Sequence, residues 1–235
     1  MYREASRGKE TEEEEEMKAF HNDKKVKEKY LARVIAHQNA DNLIRGRGWQ
    51  NGKGCAVGCT LEAYNHARYE AELGIPEWLA RVEDSLFEGM SEAKSHTWPE
   101  KFLEAIPIGA DLEPVKVQFI VMLLKYTLKS MDAAKYDENK WPQVKRAIEQ
   151  SKSAVKQMIA AQESGDNKTI EAAWSAAWSA AESAASAAWS AASAASAAWS
   201  AASAARSAAS AARSAASAAY DYYADELLKM LKKAK

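Results

Sequence analysis

Between residues 172 and 219, alanine pairs begin at 172, 176, 180, 184, 187, 191, 194, 197, 201, 204, 208, 211, 215 and 218. The steps mix threes and fours and average about 3.5 residues, the spacing that keeps one stripe of a helix against a partner along a left-handed supercoil. Alanine has the highest helix propensity, and neither Gly nor Pro occurs from Thr169 to Lys235. The stretch is therefore expected as one rod approaching roughly 100 Å, at about 1.5 Å per residue. The fold class that follows is all-α: a helical N-terminal domain followed by a long Alacoil-like helix.

Alanine on a seam lets two backbones approach closer than the usual separation of about 8–10 Å. At about 100° per residue, Trp174, Trp178, Trp189, Trp199, Arg206, Arg213 and Tyr220 share roughly 140° of arc, largely opposite the alanine stripe. Two buried faces are thus expected. One packs through alanine and the other through tryptophan, against the chain's own globular part or a second subunit. The reading is a homo-oligomer. The last turns, with Tyr220, Tyr222, Tyr223, Leu227, Leu228, Met230 and Leu231, are conventionally amphipathic and are expected to anchor on the core or on a partner.

The rest of the chain divides around composition changes. Residues 1–16 include Glu12 to Glu16 and are expected as an acidic, solvated tail. Residues 17–164 are expected as a globular helical domain, 165–167 as a break and 168–235 as the repeat helix with its amphipathic end. Within the domain, apolar spacing predicts one or two helices from Met17 to about Arg45, and 45–60 reads as a tight, glycine-rich loop or buried turn. Further helices are expected over Leu61–Leu73, closed by Gly74, and from Pro76 to Gly89, with Trp78, Leu79, Val82, Leu86 and Phe87 on one face. Another opens at Thr97-Trp98-Pro99-Glu100. Asp111 is expected to cap the helix after it, with Val115–Met131 as the central buried helix, and Trp141–Ser164 follows as a polar helix.

Lys and Arg number 32 against 33 Asp and Glu, for a net charge of -1. That balance argues against nucleic acid as a partner, since phosphate binding wants clustered cations. Ala and Ser in the uncharged stretch 183–205 give far too little transfer energy for a bilayer span, so no membrane partner is expected. Two cysteines and an N-terminus without an apolar h-region point to a reducing, cytoplasmic setting. An unidentified protein partner for the head is compatible with this composition.

Cys55, Cys59 and His66 form the one constellation that could carry chemistry. Cys-x3-Cys followed by His could contribute three zinc ligands, with His37 or Glu62 completing the set only through the fold. In a second version, Cys55 or Cys59 is a nucleophile at a helix N-terminus with His66 or His37 as base. Against both stands the plainer reading of two small buried cysteines where glycines let segments pack closely, with no cofactor and no catalytic residue.

The segments HQNADNLIRG, GKGCAVGCT, LGIPEWLARVEDSLFEGM and WPEKFLEAIPIGADLEPV resemble a group of hypothetical proteins of bacteria and phages, in which such a helical region precedes an alanine-repeat tail. The resemblance covers about residues 37–115 closely and the tail in style. It transfers no activity and no catalytic residue. It implies that Cys55, Cys59 and Trp98 belong to one shared fold element, in a phage or mobile-element setting. Three functions are thus in view: a non-enzymatic protein that self-associates through the alanine helix, a metal-binding or cysteine-dependent enzyme, and an immunity or anti-defence protein.

Overall fold

The computed structural model describes residues 17–133, 142–166, 168–170, 172–173 and 201–235. The class is all-α: among the described residues the only sheet is a two-stranded ribbon. The first turn, Ala19–Asn22, is a short 3-10 segment in which Phe20, His21 and Asn22 hold left-handed backbones, with φ of 55°, 51° and 54°. Such angles are costly for a phenylalanine. They are held in place because Phe20 is fully buried and Ala19 is pinned at both ends, its N–H donating to Ala110 O (3.0 Å) and its carbonyl accepting from Gly109 N (2.8 Å).

Helix α1 (Lys24–Asn39) begins where the Asp23 carboxylate accepts the Lys25 amide at 2.8 Å, a standard N-cap interaction. Its length carries cations to the ends of other helices. Lys27 Nζ donates to the carbonyls of Glu104 and Ile106 at the close of the helix Trp98–Ala105, and Arg33 to that of Thr60 near the close of the helix Ala56–Leu61. Both contacts satisfy carbonyls that a helix terminus leaves without partners.

Residues 45–60 are more structured than a loop. Strands β1 (Trp49–Gln50) and β2 (Lys53–Gly54) pair antiparallel, Trp49 opposite Gly54 and Gln50 opposite Lys53. The turn residues Asn51 and Gly52 both have positive φ, 53° and 77°, as Asn-Gly hairpins require. Helix α2 then starts at Ala56 and runs to Leu61, every residue of it buried. The expected helix over Leu61–Leu73 is broken at Glu62, which takes a left-handed φ of 53°. Helix α3 resumes only at Arg68, to end at Leu73 under Gly74.

Helix α4 (Glu77–Gly89) buries Leu79, Ala80, Glu83, Asp84, Leu86 and Phe87 and leaves Trp78 and Val82 half-buried. After the single turn α5 (Glu92–Ser95), α6 (Trp98–Ala105) starts as expected at the proline, although the Thr97 hydroxyl makes no cap hydrogen bond. Asp111 accepts the Glu113 amide (3.0 Å) at the head of α7 (Glu113–Ala133), also as expected.

Helix α7 is not the central buried helix. Val115 and Phe119 are in the core, residues 120–124 are half-buried, and Val117 is 40% exposed. The apolar run is shared out instead among helix α8 (Pro142–Ser164), the C-terminal helix and the surface. Beyond α8, Ala173 is buried against Met158 and Ala161 in a small second cluster.

Helix α9 (Ala201–Leu231) is unbroken. Its last turns sit in the main core, with Ala224, Leu227 and Leu231 each 2% exposed or less beside residues of α4, α6 and α7. The expected anchor is thus on the chain's own head, and the core extends past the expected boundary at 164 to include the C-terminal end. Trp174, Trp178, Trp189 and Trp199, and the middle of the expected rod, lie outside the described residues. Arg206 and Arg213 fall on α9, and Tyr220 packs on α4 at Gly89. No helix among the described residues is long and apolar enough to cross a membrane.

Candidate functional site

Three segments converge beside Gly48. Cys55 immediately precedes α2, the turn after α2 carries Tyr64 and His66, and α4 carries Glu83, Asp84 and Glu88. Close approach depends on glycine. A Cβ at Gly58 would lie 1.8 Å from the Gly48 carbonyl oxygen and one at Gly54 2.2 Å from it, while one at Gly48 would lie 2.4 Å from the Tyr64 ring. After the break at Glu62 the Asn65 side chain holds the turn through the Ala67 amide (3.1 Å).

Asp84 is the hub. Its Oδ2 accepts the Tyr64 hydroxyl at 3.0 Å and lies 3.1 Å from His66 Nε2. Its Oδ1 is buried without a well-formed hydrogen bond. Cys55 Sγ, an Asp84 oxygen and a Glu88 oxygen all lie within 4.8 Å of one another. Glu88 Oε2 accepts the Gly46 amide at 2.7 Å.

Burial pushes the Cys55 thiol far above its ordinary range, and its hydrogen bond to Asp84, with the charges of Asp84 and Glu83, pushes it further. A thiol held protonated is not a nucleophile at neutral pH, so Cys55 lacks the lowered pKa that nucleophilic catalysis needs. Burial, reinforced by Asp84, also raises Glu88. The Tyr64 phenol is pushed up to about 12 by burial and its bond to Asp84. One residue earlier on α4, Glu83 is fully buried, accepts the Tyr69 hydroxyl at 2.6 Å, and has its carboxyl pushed up to about 8 by desolvation.

Of the three expected ligands, the structure brings Cys55 and His66 together through Asp84 and turns Cys59 elsewhere. The Cys59 thiol donates to the carbonyls of Gly54 (3.4 Å) and Asn42 (3.6 Å), and burial raises it to about 11. His37 faces Glu62 at 3.5 Å and meets Trp49 edge-on, 5.3 Å between centroids. Sequence reasoning missed Asp84, Glu88 and Tyr64. The signal was there: Asp84 and Glu88 are like charges four apart on one helix, a destabilising spacing unless something positive sits between them. Glu83, four residues after Leu79, falls inside the apolar stripe.

What the arrangement offers is donors. One thiol and two carboxylates, with an imidazole behind, suit a divalent cation of borderline softness. No family profile, curated protein or solved structure matches the chain, and its function therefore rests on its own geometry.

Proposed function

We propose that this chain is a structural protein that self-associates through its alanine-rich helix, with the N-terminal helices as the head that fixes one end of it. The observation that carries the reading is the seat of Ala173. At the start of the repeat this alanine is 7% exposed against Met158 and Ala161, the latter 1% exposed. The tract's small face is thus already used for helix packing where it begins. At the other end Ala224 is buried in the head. Between them the heptads 200–206 and 207–213 continue the same stripe, and a stripe that long gains contact by lying along a second helix.

The test is the mass of the full chain in solution, by light scattering after size exclusion. A mass above one chain is expected. The double substitution A204E/A211E places charge on the stripe one heptad apart and is expected to return the protein to a single chain with its helix content kept. A strict monomer for the unaltered chain over the accessible concentration range, or an oligomer indifferent to the two glutamates, overturns the reading.

A further inference from the structure

We propose that Cys55, Asp84 and Glu88 bind a divalent cation of the zinc class, with His66 and Tyr64 holding the Asp84 carboxylate in position. This goes beyond the self-association reading and stands or falls separately from it. The three donor atoms come from two segments fixed by the core: Cys55 is 1% exposed and Asp84 8%. They already lie within 4.8 Å of one another. Donors around a tetrahedral zinc are separated by roughly 3.3–3.8 Å, given bonds of about 2.0–2.3 Å. The remaining contraction falls to Glu88, the exposed member of the set, whose side chain can swing without disturbing the core.

The independent pointer is the Asp84 carboxylate. Oδ2 is engaged by Tyr64 and His66, Oδ1 is buried without a well-formed hydrogen bond, and the Cys55 thiol is the remaining donor against the carboxylate. A buried carboxylate oxygen without a well-formed hydrogen bond is costly, and a cation that displaces the thiol proton would satisfy the oxygen and the sulfur together. Glu88 is oriented as well, its Oε2 accepting the Gly46 amide. Each carboxylate is thus oriented by protein donors through one oxygen.

On binding, the thiol proton leaves to solvent, the Cys55 sulfur coordinates as thiolate, and the ion's two positive charges meet three negative ligands. The sulfur selects against magnesium and calcium, which prefer all-oxygen sets. Three protein ligands leave the fourth position to water.

The experiment uses the full chain, stripped with chelator and titrated with zinc chloride or cobalt chloride alone. One ion per chain is expected, with a sulfur-to-cobalt charge-transfer band. Both are expected to vanish in Cys55→Ser and to weaken at least tenfold in Asp84→Asn and Glu88→Gln, each checked for native helix content. Cys59→Ser is expected to bind as the unaltered protein does. His66→Gln is expected to cost about tenfold to a hundredfold in affinity, as loss of an orienting partner does, while keeping the band. If Cys55→Ser does not fold, the cobalt band of Cys59→Ser, whose only thiol is Cys55, gives the same answer. Absence of binding and of the band at millimolar metal overturns the proposal, as does a band lost in Cys59→Ser but kept in Cys55→Ser.

Discussion

Gly89, the last residue of α4, lies directly under the ring of Tyr220: a Cβ added there would come within 2.5 Å of the ring carbons. The contact joins the final heptad of the alanine repeat to the head. Beside it the Ser91 amide donates to the Asp221 carboxylate at 2.9 Å, and Lys94 pairs with Asp225 at 2.7 Å. Gly89→Ala should gain the usual helix-propensity advantage of about 1 kcal/mol. It should lose more to the clash, for overpacking costs about 1–3 kcal/mol. The expected net outcome is a lowered melting temperature, restored when Tyr220→Ala is added. Calorimetry of the two single variants and the double reads the coupling directly.

Gly58 makes a harsher contact. Its missing side chain faces the Gly48 carbonyl oxygen at 1.8 Å, which is backbone and cannot rotate aside. Gly58→Ala is therefore expected to cost about 3 kcal/mol or more, at the top of the overpacking range. By contrast Gly165→Ala meets nothing within 4 Å and is opposed only by its φ of 69°, so its cost should be about 1 kcal/mol. Chemical denaturation of the two variants gives the comparison. Equal costs would mean that the approach of Gly48 to α2 is not tight.

Glu83 ties stability to pH. Desolvation raises its carboxyl from the ordinary 4.5 to about 8 in the folded chain, so the folded state holds a proton that the unfolded state releases. The stabilisation is complete below about 4.5 and is lost as pH rises towards about 8, with a slope of at most about 1.4 kcal/mol per pH unit. Glu83→Gln keeps an acceptor for the Tyr69 hydroxyl without the charge, so its stability should be flat over that window. Urea midpoints at pH 5, 7 and 9 for both proteins test this. Parallel curves would place the titration elsewhere.

Much of this was legible beforehand, and the misses have definite causes. The 3.6-residue apolar spacing located α1, α4, α6, α7 and α8, and Pro99 and Gly74 marked real helix ends. Periodicity does not report burial depth, so the apolar run of α7 reads as a core helix although, among the described side chains, only Val115 and Phe119 lie deep. Asn51-Gly52 is a hairpin signal masked by the glycines around it. The break at Glu62 has no local signature, since a non-glycine residue in a left-handed conformation is held there by tertiary contacts. That break is what swings Tyr64 and His66 onto Asp84. The site was therefore half visible: Cys55 and His66 stood out by residue type, while Asp84 and Glu88 read as ordinary surface acids until α4 was placed.

Leu227 decides whether α9 is an appended rod or part of the fold. It is fully buried, together with Leu231, among side chains of the head, and the Asp111 amide reaches across to the Lys235 carbonyl at 2.8 Å. Leu227→Ala should cost about 2–5 kcal/mol, the range for emptying a core leucine site. A chain ending at residue 199 would also uncover the core faces of α4, α6 and α7 that pack on α9, and should lose cooperative unfolding and bind a hydrophobic dye. Such a loss in the head on removing a helix distant in sequence is the behaviour of one core closed by its two ends. A shortened chain that melts at the temperature of the full one, with no dye binding, would show instead that the head is complete by residue 164 and that α9 rests on a finished surface.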